Sequence, residues 1–191
     1  MDSGQHAEQQ PSRVLSSVLS VLLMLAVVVG IVVLLRVFVF VPYEIPSGSM
    51  EDTILPGDLV FSEKVSYYIR EPKQGDIVTF ADPEVAGRTL IKRVIATEGQ
   101  TVDLVNGNVV VDGVALEEPY TGGKPSYPLS RTARNVEINF PYTVPEDYVW
   151  VMGDNRTSSQ DSRYFGAVET SSITGRAALV YWPVSDFGLL S

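Results

Sequence analysis

Ser47 and Ser49 stand two residues apart in Ile45-Pro46-Ser47-Gly48-Ser49-Met50, a stretch that begins nine residues after Arg36 ends a long apolar run. Pro46 stiffens the approach, and Gly48 lets the backbone turn or pack closely. Such a turn can present one hydroxyl to a substrate while a backbone N–H and a second hydroxyl point at the same place. Those are the parts of a nucleophile and an oxyanion hole. The same letters also fit a plain Ser/Gly turn joining an apolar segment to a domain, so residues further along must decide.

A serine nucleophile needs a base. The only histidine is His6, on the far side of the apolar run, and there are no cysteines. A Ser-His-Asp triad, a thiol nucleophile, a thiolate zinc site and a histidine-rich metal site are thereby excluded from the main domain, and neither a metal nor a cofactor is expected. The base must be Lys, Asp or Glu. Of four lysines, Lys64, Lys73 and Lys124 sit among polar or proline-containing neighbours. Lys92 lies inside the apolar strand pattern Leu90-Ile91-Lys92-Arg93-Val94-Ile95.

Lys92 reads two ways. A strand lysine can lay its stem along apolar surface and keep its amine in water. A desolvated amine can instead act as a base. With an ordinary pKa near 10.4, only roughly 0.1 % of a lysine is neutral near neutral pH. Burial lowers that pKa, and a drop of about 2.5 units corresponds to about 3.4 kcal/mol, which the fold must supply.

A third constellation runs from Gly153-Asp154-Asn155-Arg156 through Ser159 to Asp161-Ser162-Arg163-Tyr164-Phe165-Gly166. It is dense in short hydrogen-bonding side chains, with candidate Asp–Arg pairs at each end. EF-hand spacing fails, because Arg156 stands where a carboxylate or amide ligand is needed. Taken alone, the segment also fits a polar loop held by ion pairs.

The elements that must position these groups follow from patterning. Residues 1–13 are polar and read as a short disordered tail. Val14 to Leu35 gives 22 residues with three serines, one glycine and no charge. As a helix it spans about 33 Å, enough for a bilayer core of about 30 Å. Arg36 and a further apolar segment follow in place of a small-residue cleavage site, so residues 14–36 read as an uncleaved anchor. The charges flanking it do not decide its orientation.

From residue 37 onward, short apolar runs alternate with turn residues. Asp58 to Phe61, Asp76 to Phe80, Thr89 to Ala96, Val102 to Val105, Val109 to Val111, Tyr148 to Met152 and Ala177 to Trp182 read as strands. Asn106-Gly107 and Asp112-Gly113 are hairpin signals. Residues 121–147 hold little periodicity and read as a long loop with one short strand. The fold class is therefore all-β, an antiparallel barrel-like or sandwich domain over residues 37–191 behind one transmembrane helix. A small hairpin-and-loop insertion covers about residues 102–147. The net charge of −9 argues against a phosphate-binding surface and makes nucleic acid an unexpected partner.

In this order the segments resemble the bacterial type I signal peptidase (leader peptidase) family. The matching pieces are Ile45 to Met50, Pro56-Gly57-Asp58, Gly75-Asp76-Ile77-Val78, Ile91-Lys92-Arg93-Val94, Gly153 to Arg156 with Asp161 to Tyr164, and Tyr181-Trp182-Pro183 with Phe187-Gly188. They cover roughly residues 42–188. The resemblance implies a signal peptidase-like fold and a Ser-Lys dyad, with Ser49 as nucleophile and Lys92 as general base. Ser47 and the Ser49 N–H would form the oxyanion hole, and Ser159 would orient the Lys92 amine. Arg93 with Asp154, and Asp161 with Arg163, would be supporting ion pairs. Tyr43, Ile45 and Ile91 would line small pockets for Ala-like side chains before the scissile bond.

The sequence departs from the commonest family form at Thr157 and Ser158, which bears on loop packing. The implied activity is removal of signal peptides from secreted preproteins at Ala-X-Ala sites, at the plasma membrane. The tail would lie in the cytoplasm and the domain outside, in contact with the lipid bilayer and close to the secretion translocon. Ser49 is 13 residues beyond Arg36, so an extended chain keeps it within about 45 Å of the membrane boundary. The competing reading is a membrane-tethered β domain that binds envelope peptides without cleaving them.

Overall fold

The computed structural model describes residues 10–190, with side chains placed for 15–36 and 39–190. Residues 1–9 of the expected tail lie outside that range. The chain divides into two compact units between Val39 and Phe40.

The first unit is helix α1 (Gln10–Phe38), 29 residues, which starts before the expected anchor and runs past it. Pro11 falls in the first turn, where its missing N–H breaks no helical bond, and Arg36 in the last turn complements the helix dipole. Leu15–Arg36 is a 22-residue candidate membrane span with no side chain buried. So continuous an apolar surface suits hydrocarbon rather than water.

The second unit is built from strands β1 (Phe40–Glu44), β2 (Leu59–Glu63), β3 (Ile77–Ala81), β4 (Thr89–Thr97), β5 (Thr101–Val105), β6 (Asn108–Val111), β7 (Val114–Ala115), β8 (Tyr142–Thr143), β9 (Tyr148–Met152), β10 (Val168–Glu169), β11 (Ile173–Trp182) and β12 (Gly188–Leu189). Two single-turn helices join them, α2 (Ser66–Ile69) and α3 (Ser162–Phe165). The larger sheet runs β1-β2-β11-β3-β4-β9-β10 with β12 on β11, and the smaller runs β7-β6-β5-β8. Every pairing is antiparallel. Irregularities in β11 and between Val94 and Ala96 let the large sheet bend.

Sequence periodicity found the long strands and passed over the short ones. β1 carries Pro42, which pattern reading counts against a strand; it is tolerated because β1 is an edge. Asn106 and Gly107 both take positive φ, the requirement of the tight turn joining β5 to β6.

Three apolar clusters hold the unit together. Ile45, Met50, Ile54, Val60, Ile77, Ile91, Ala177 and Val180 pack on one face of the large sheet. Val78, Phe80, Val94, Val151 and Phe165 pack on the other. Ile95, Trp150 and Met152 meet Val102, Val109 and Val111 of the small sheet. β4 contributes to all three, so its alternation aims Ile91 and Lys92 at opposite faces.

Candidate active site

Ser49 sits in a one-turn 3-10 helix, Gly48–Met50, entered through extended Ser47. Met50 is fully buried in the first apolar cluster and anchors the turn. Ser47 is exposed and lines the same cleft, of about 590 Å³, as Ser49 and Lys92. Lys92 comes from the middle of β4, flanked by β3 and β9. Its Nζ donates to Ser49 Oγ at 2.7 Å and to the Ile91 carbonyl at 2.8 Å. The side chain is 3 % exposed. Of the two readings of Lys92, the geometry matches the desolvated amine.

Burial pushes the Lys92 amine down to about 8, opposed by the negative charges of Asp161, Asp154 and Asp82. Those carboxylates would hold the lysine charged if they stood alone. Two are neutralised by buried arginines. Arg93 binds Asp154 through Nε and Nη2 at 2.9 and 2.8 Å, and Arg163 binds Asp161 through the same two nitrogens at the same distances. Both expected pairs are present. Burial alone would raise the Asp161 carboxyl; the Arg163 bonds and charge and the Gly153 N–H leave it below the usual carboxylate range. Asp82, the third carboxylate, is paired with Arg88 on the rim.

The loop from Gly153 packs directly on the serine turn. A Cβ at Gly153 would overlap Ser159 Oγ and the Ser49 carbonyl, so only glycine permits this approach. Ser159 Oγ is buried and, among the described residues, has no hydrogen-bond partner; it is not bonded to Lys92. Tyr43 is half-buried on β1, while Ile45 and Ile91 join Met50 in the first apolar cluster. None of these three lines the cleft of Ser49 and Lys92, whose apolar walls come from Val85, Leu90, Tyr164 and Phe165. A larger cleft of about 880 Å³, walled by Tyr67, Tyr68, Tyr148 and Glu169, also carries Lys64 and Ser171, but there the serine hydroxyl donates to the Glu169 carboxylate at 3.1 Å.

Sequence reasoning missed three contributors. Asn155 donates from its backbone N–H to the Ser49 carbonyl at 3.1 Å and from its side chain to the Gly48 carbonyl at 2.8 Å. Thr53 donates to Asp154 Oδ2 at 2.5 Å. Arg156, fully buried, is held by Glu118 at 2.8 and 2.5 Å and by Ser126 at 2.7 Å. Beside them the Tyr120 ring lies 4.0 Å under the Arg93 guanidinium. Asn155 was visible as a letter between Asp154 and Arg156; nothing in the local pattern at 118–120 pointed to arginines so distant in the chain.

The arrangement can activate a hydroxyl by proton transfer to a neutral amine. A family model described as signal peptidase, peptidase S26, matches residues 18–182. A probable signal peptidase I-1 of Synechocystis sp. is 42 % identical over 176 residues, covering 88 % of this chain and 84 % of that protein. A signal peptidase I of Leptolyngbya laminosa is 37 % identical over 163 residues, covering 82 % and 75 %. A crystal structure of a signal peptidase I from Enterococcus faecalis aligns with a TM-score of 0.44 at 33 % identity, over 56 % of this chain and 97 % of that one.

Proposed function

The chain belongs to the signal peptidase family, peptidase S26, and from that premise we propose that Ser49 and Lys92 form the catalytic dyad of a membrane-anchored serine endopeptidase that removes signal peptides from preproteins. The observation that carries the assignment is the 2.7 Å contact between Lys92 Nζ and Ser49 Oγ at a buried amine whose pKa is lowered to about 8.

Neutral Lys92 takes the Ser49 hydroxyl proton as Oγ attacks the scissile carbonyl. Negative charge then develops on the carbonyl oxygen, where the Ser49 N–H and the Ser47 hydroxyl stabilise it. Collapse of the tetrahedral intermediate breaks the C–N bond, and the Lys92 ammonium returns its proton to the departing amine. The ester on Ser49 is hydrolysed by a water that gives its proton to Lys92, restoring the serine. The Arg93–Asp154 and Asp161–Arg163 pairs keep net negative charge away from the amine. Ser159 has the base-orienting role; its buried hydroxyl lies beside Asp161 and makes no bond to Lys92 in this structure, so the role requires the hydroxyl to turn toward the amine. Tyr43, Ile45 and Ile91 lie on the segment leading to Ser49 and next to Lys92, beside the cleft rather than in its lining, and would receive the small side chains before the cut from that side. An apolar pocket of that kind discriminates by about 1–3 kcal/mol per methylene.

α1 serves as a single-pass anchor, with the tail in the cytoplasm and residues 37–191 outside, in the plasma membrane close to the translocon. External protease on spheroplasts should digest the domain; complete protection reverses the orientation. The activity is tested by incubating the detergent-solubilised full chain with a preprotein and sequencing the new amino terminus. Cleavage after an Ala-X-Ala site that is absent in Ser49→Ala is the expected result. An intact preprotein, still bound, would favour a non-catalytic β domain.

A further inference from the structure

The cleft that holds Ser49 and Lys92 does not end at the dyad. Ser158, Gln160 and Tyr164 line it and also line a second groove of about 510 Å³, whose other wall is Leu129 to Thr132. That wall is fixed in place. The Ala133 N–H donates to the Tyr164 carbonyl at 2.8 Å, Thr132 Oγ1 donates to the Val136 carbonyl at 2.8 Å, and Ala133 is buried against Phe165 and its neighbours.

The second groove differs from the first in charge. Asp82 and Glu84 line the first, whereas no carboxylate lines the second. The one charged residue in it is Arg131, which is exposed. Arg70, Arg88, Arg93, Arg156, Arg163 and Arg176 each pair with a carboxylate. Arg131 pairs with none among the described residues, although the chain carries a net charge of −9. Arg131 lines a groove that shares Ser158, Gln160 and Tyr164 with the cleft of the nucleophile.

Strand alternation gives the direction. Leu90 and Lys92 lie on one face of β4, and Ile91, packed with Ile45, lies on the other. With the residues before the cut placed on the Ile45 and Ile91 side, the other face of β4, where Leu90 meets Tyr164 and Gln160 in the cleft, is left for the chain beyond the scissile bond. We propose that the groove between Gln160 and Leu129–Thr132 holds the first residues of the mature polypeptide, with Arg131 receiving an acidic side chain there. This rests on the signal peptidase reading above and adds a charge preference on the far side of the cut. Arg131 acts in binding and takes no part in the bond-breaking step.

The test uses the full chain in detergent and preprotein substrates differing by one residue, Glu, Gln or Lys, placed in turn at each position after the cut. At one position, kcat/KM should favour Glu over Gln by about two- to fivefold, the size of an exposed ion pair, and should disfavour Lys. Raising the salt should shrink the preference. Arg131→Ala should level the three substrates, and Arg131→Glu should reverse the order. Arg134→Ala, a neighbour outside the groove, should leave the order intact. Equal cleavage of Glu, Gln and Lys substrates at every position overturns the proposal, as does a Glu preference that survives Arg131→Ala. Absence of cleavage of every substrate by the unaltered chain overturns the reading on which it rests.

Discussion

Asn155 grips the turn that carries Ser49 at two successive carbonyls, its backbone N–H on Ser49 O and its side-chain amide on Gly48 O. Two bonds from one residue fix the tilt of both peptide planes, and with it the direction of the Ser49 hydroxyl. Asn155→Ala removes the bond to the Gly48 carbonyl, worth about 1 kcal/mol, together with a longer one to Glu51 at 3.3 Å. If the lost bond acts through Ser49 orientation, kcat should fall roughly fivefold with KM little changed. A change confined to KM or to the thermal midpoint would count against that role.

The pH profile follows from Lys92. Its amine is lowered to about 8, so about a tenth is neutral at pH 7. Deprotonation creates the base, so kcat/KM should rise with pH through about 8 and then level. Lys92→Arg keeps the charge but cannot lose it at these pH values. It should be as inactive as Ser49→Ala, because members of a catalytic unit fail together. Near-normal turnover by Lys92→Arg at neutral pH would place the base elsewhere.

Ser47 tests the oxyanion assignment. Ser47→Ala should lower kcat by roughly 10²–10³ with little change in substrate binding, the typical effect of losing one donor. Ser47 is exposed and packs nothing in the core, so the unfolding midpoint should stay near that of the unaltered chain.

Gly153→Ala places a methyl against Ser159 Oγ and the Ser49 backbone. The backbone partner cannot rotate away as a flexible side chain could. Overpacking of this kind costs typically about 1–3 kcal/mol. Both the thermal midpoint and kcat should drop, and Gly153→Ala combined with Ser159→Gly should recover part of the midpoint. Failure of the second change to restore any stability would show that the overlap is not the cause.

Glu118→Ala leaves the fully buried Arg156 without its carboxylate. Removing one partner of a buried pair costs typically about 3–5 kcal/mol; because Glu118 keeps 10 % exposure and Ser126 remains bonded, a loss of about 3 kcal/mol is expected. Denaturant unfolding measures it. Replacing both residues by apolar ones of similar size should lose less than Glu118→Ala alone.

By itself the sequence determined the kinds of chemistry available and their order along the chain. With one remote histidine and no cysteine, a hydrolytic base had to be lysine or a carboxylate, and only Lys92 lay in an apolar strand. The long strands, the hairpin turns and the apolar helix were legible because each is a local periodicity or a local φ requirement. The partners were not. Lys92 meets Ser49 across 43 residues, Glu118 meets Arg156 across 38, and Asn155 meets Gly48 across 107. Which strands become neighbours depends on the total burial achieved by the sheet order, a sum over the whole chain that no local window contains. Local alternation said that Ile91 and Lys92 face opposite ways. Only the packing of β4 between β3 and β9 decided which face met the serine turn, and so which side chain was left with its amine in the dry.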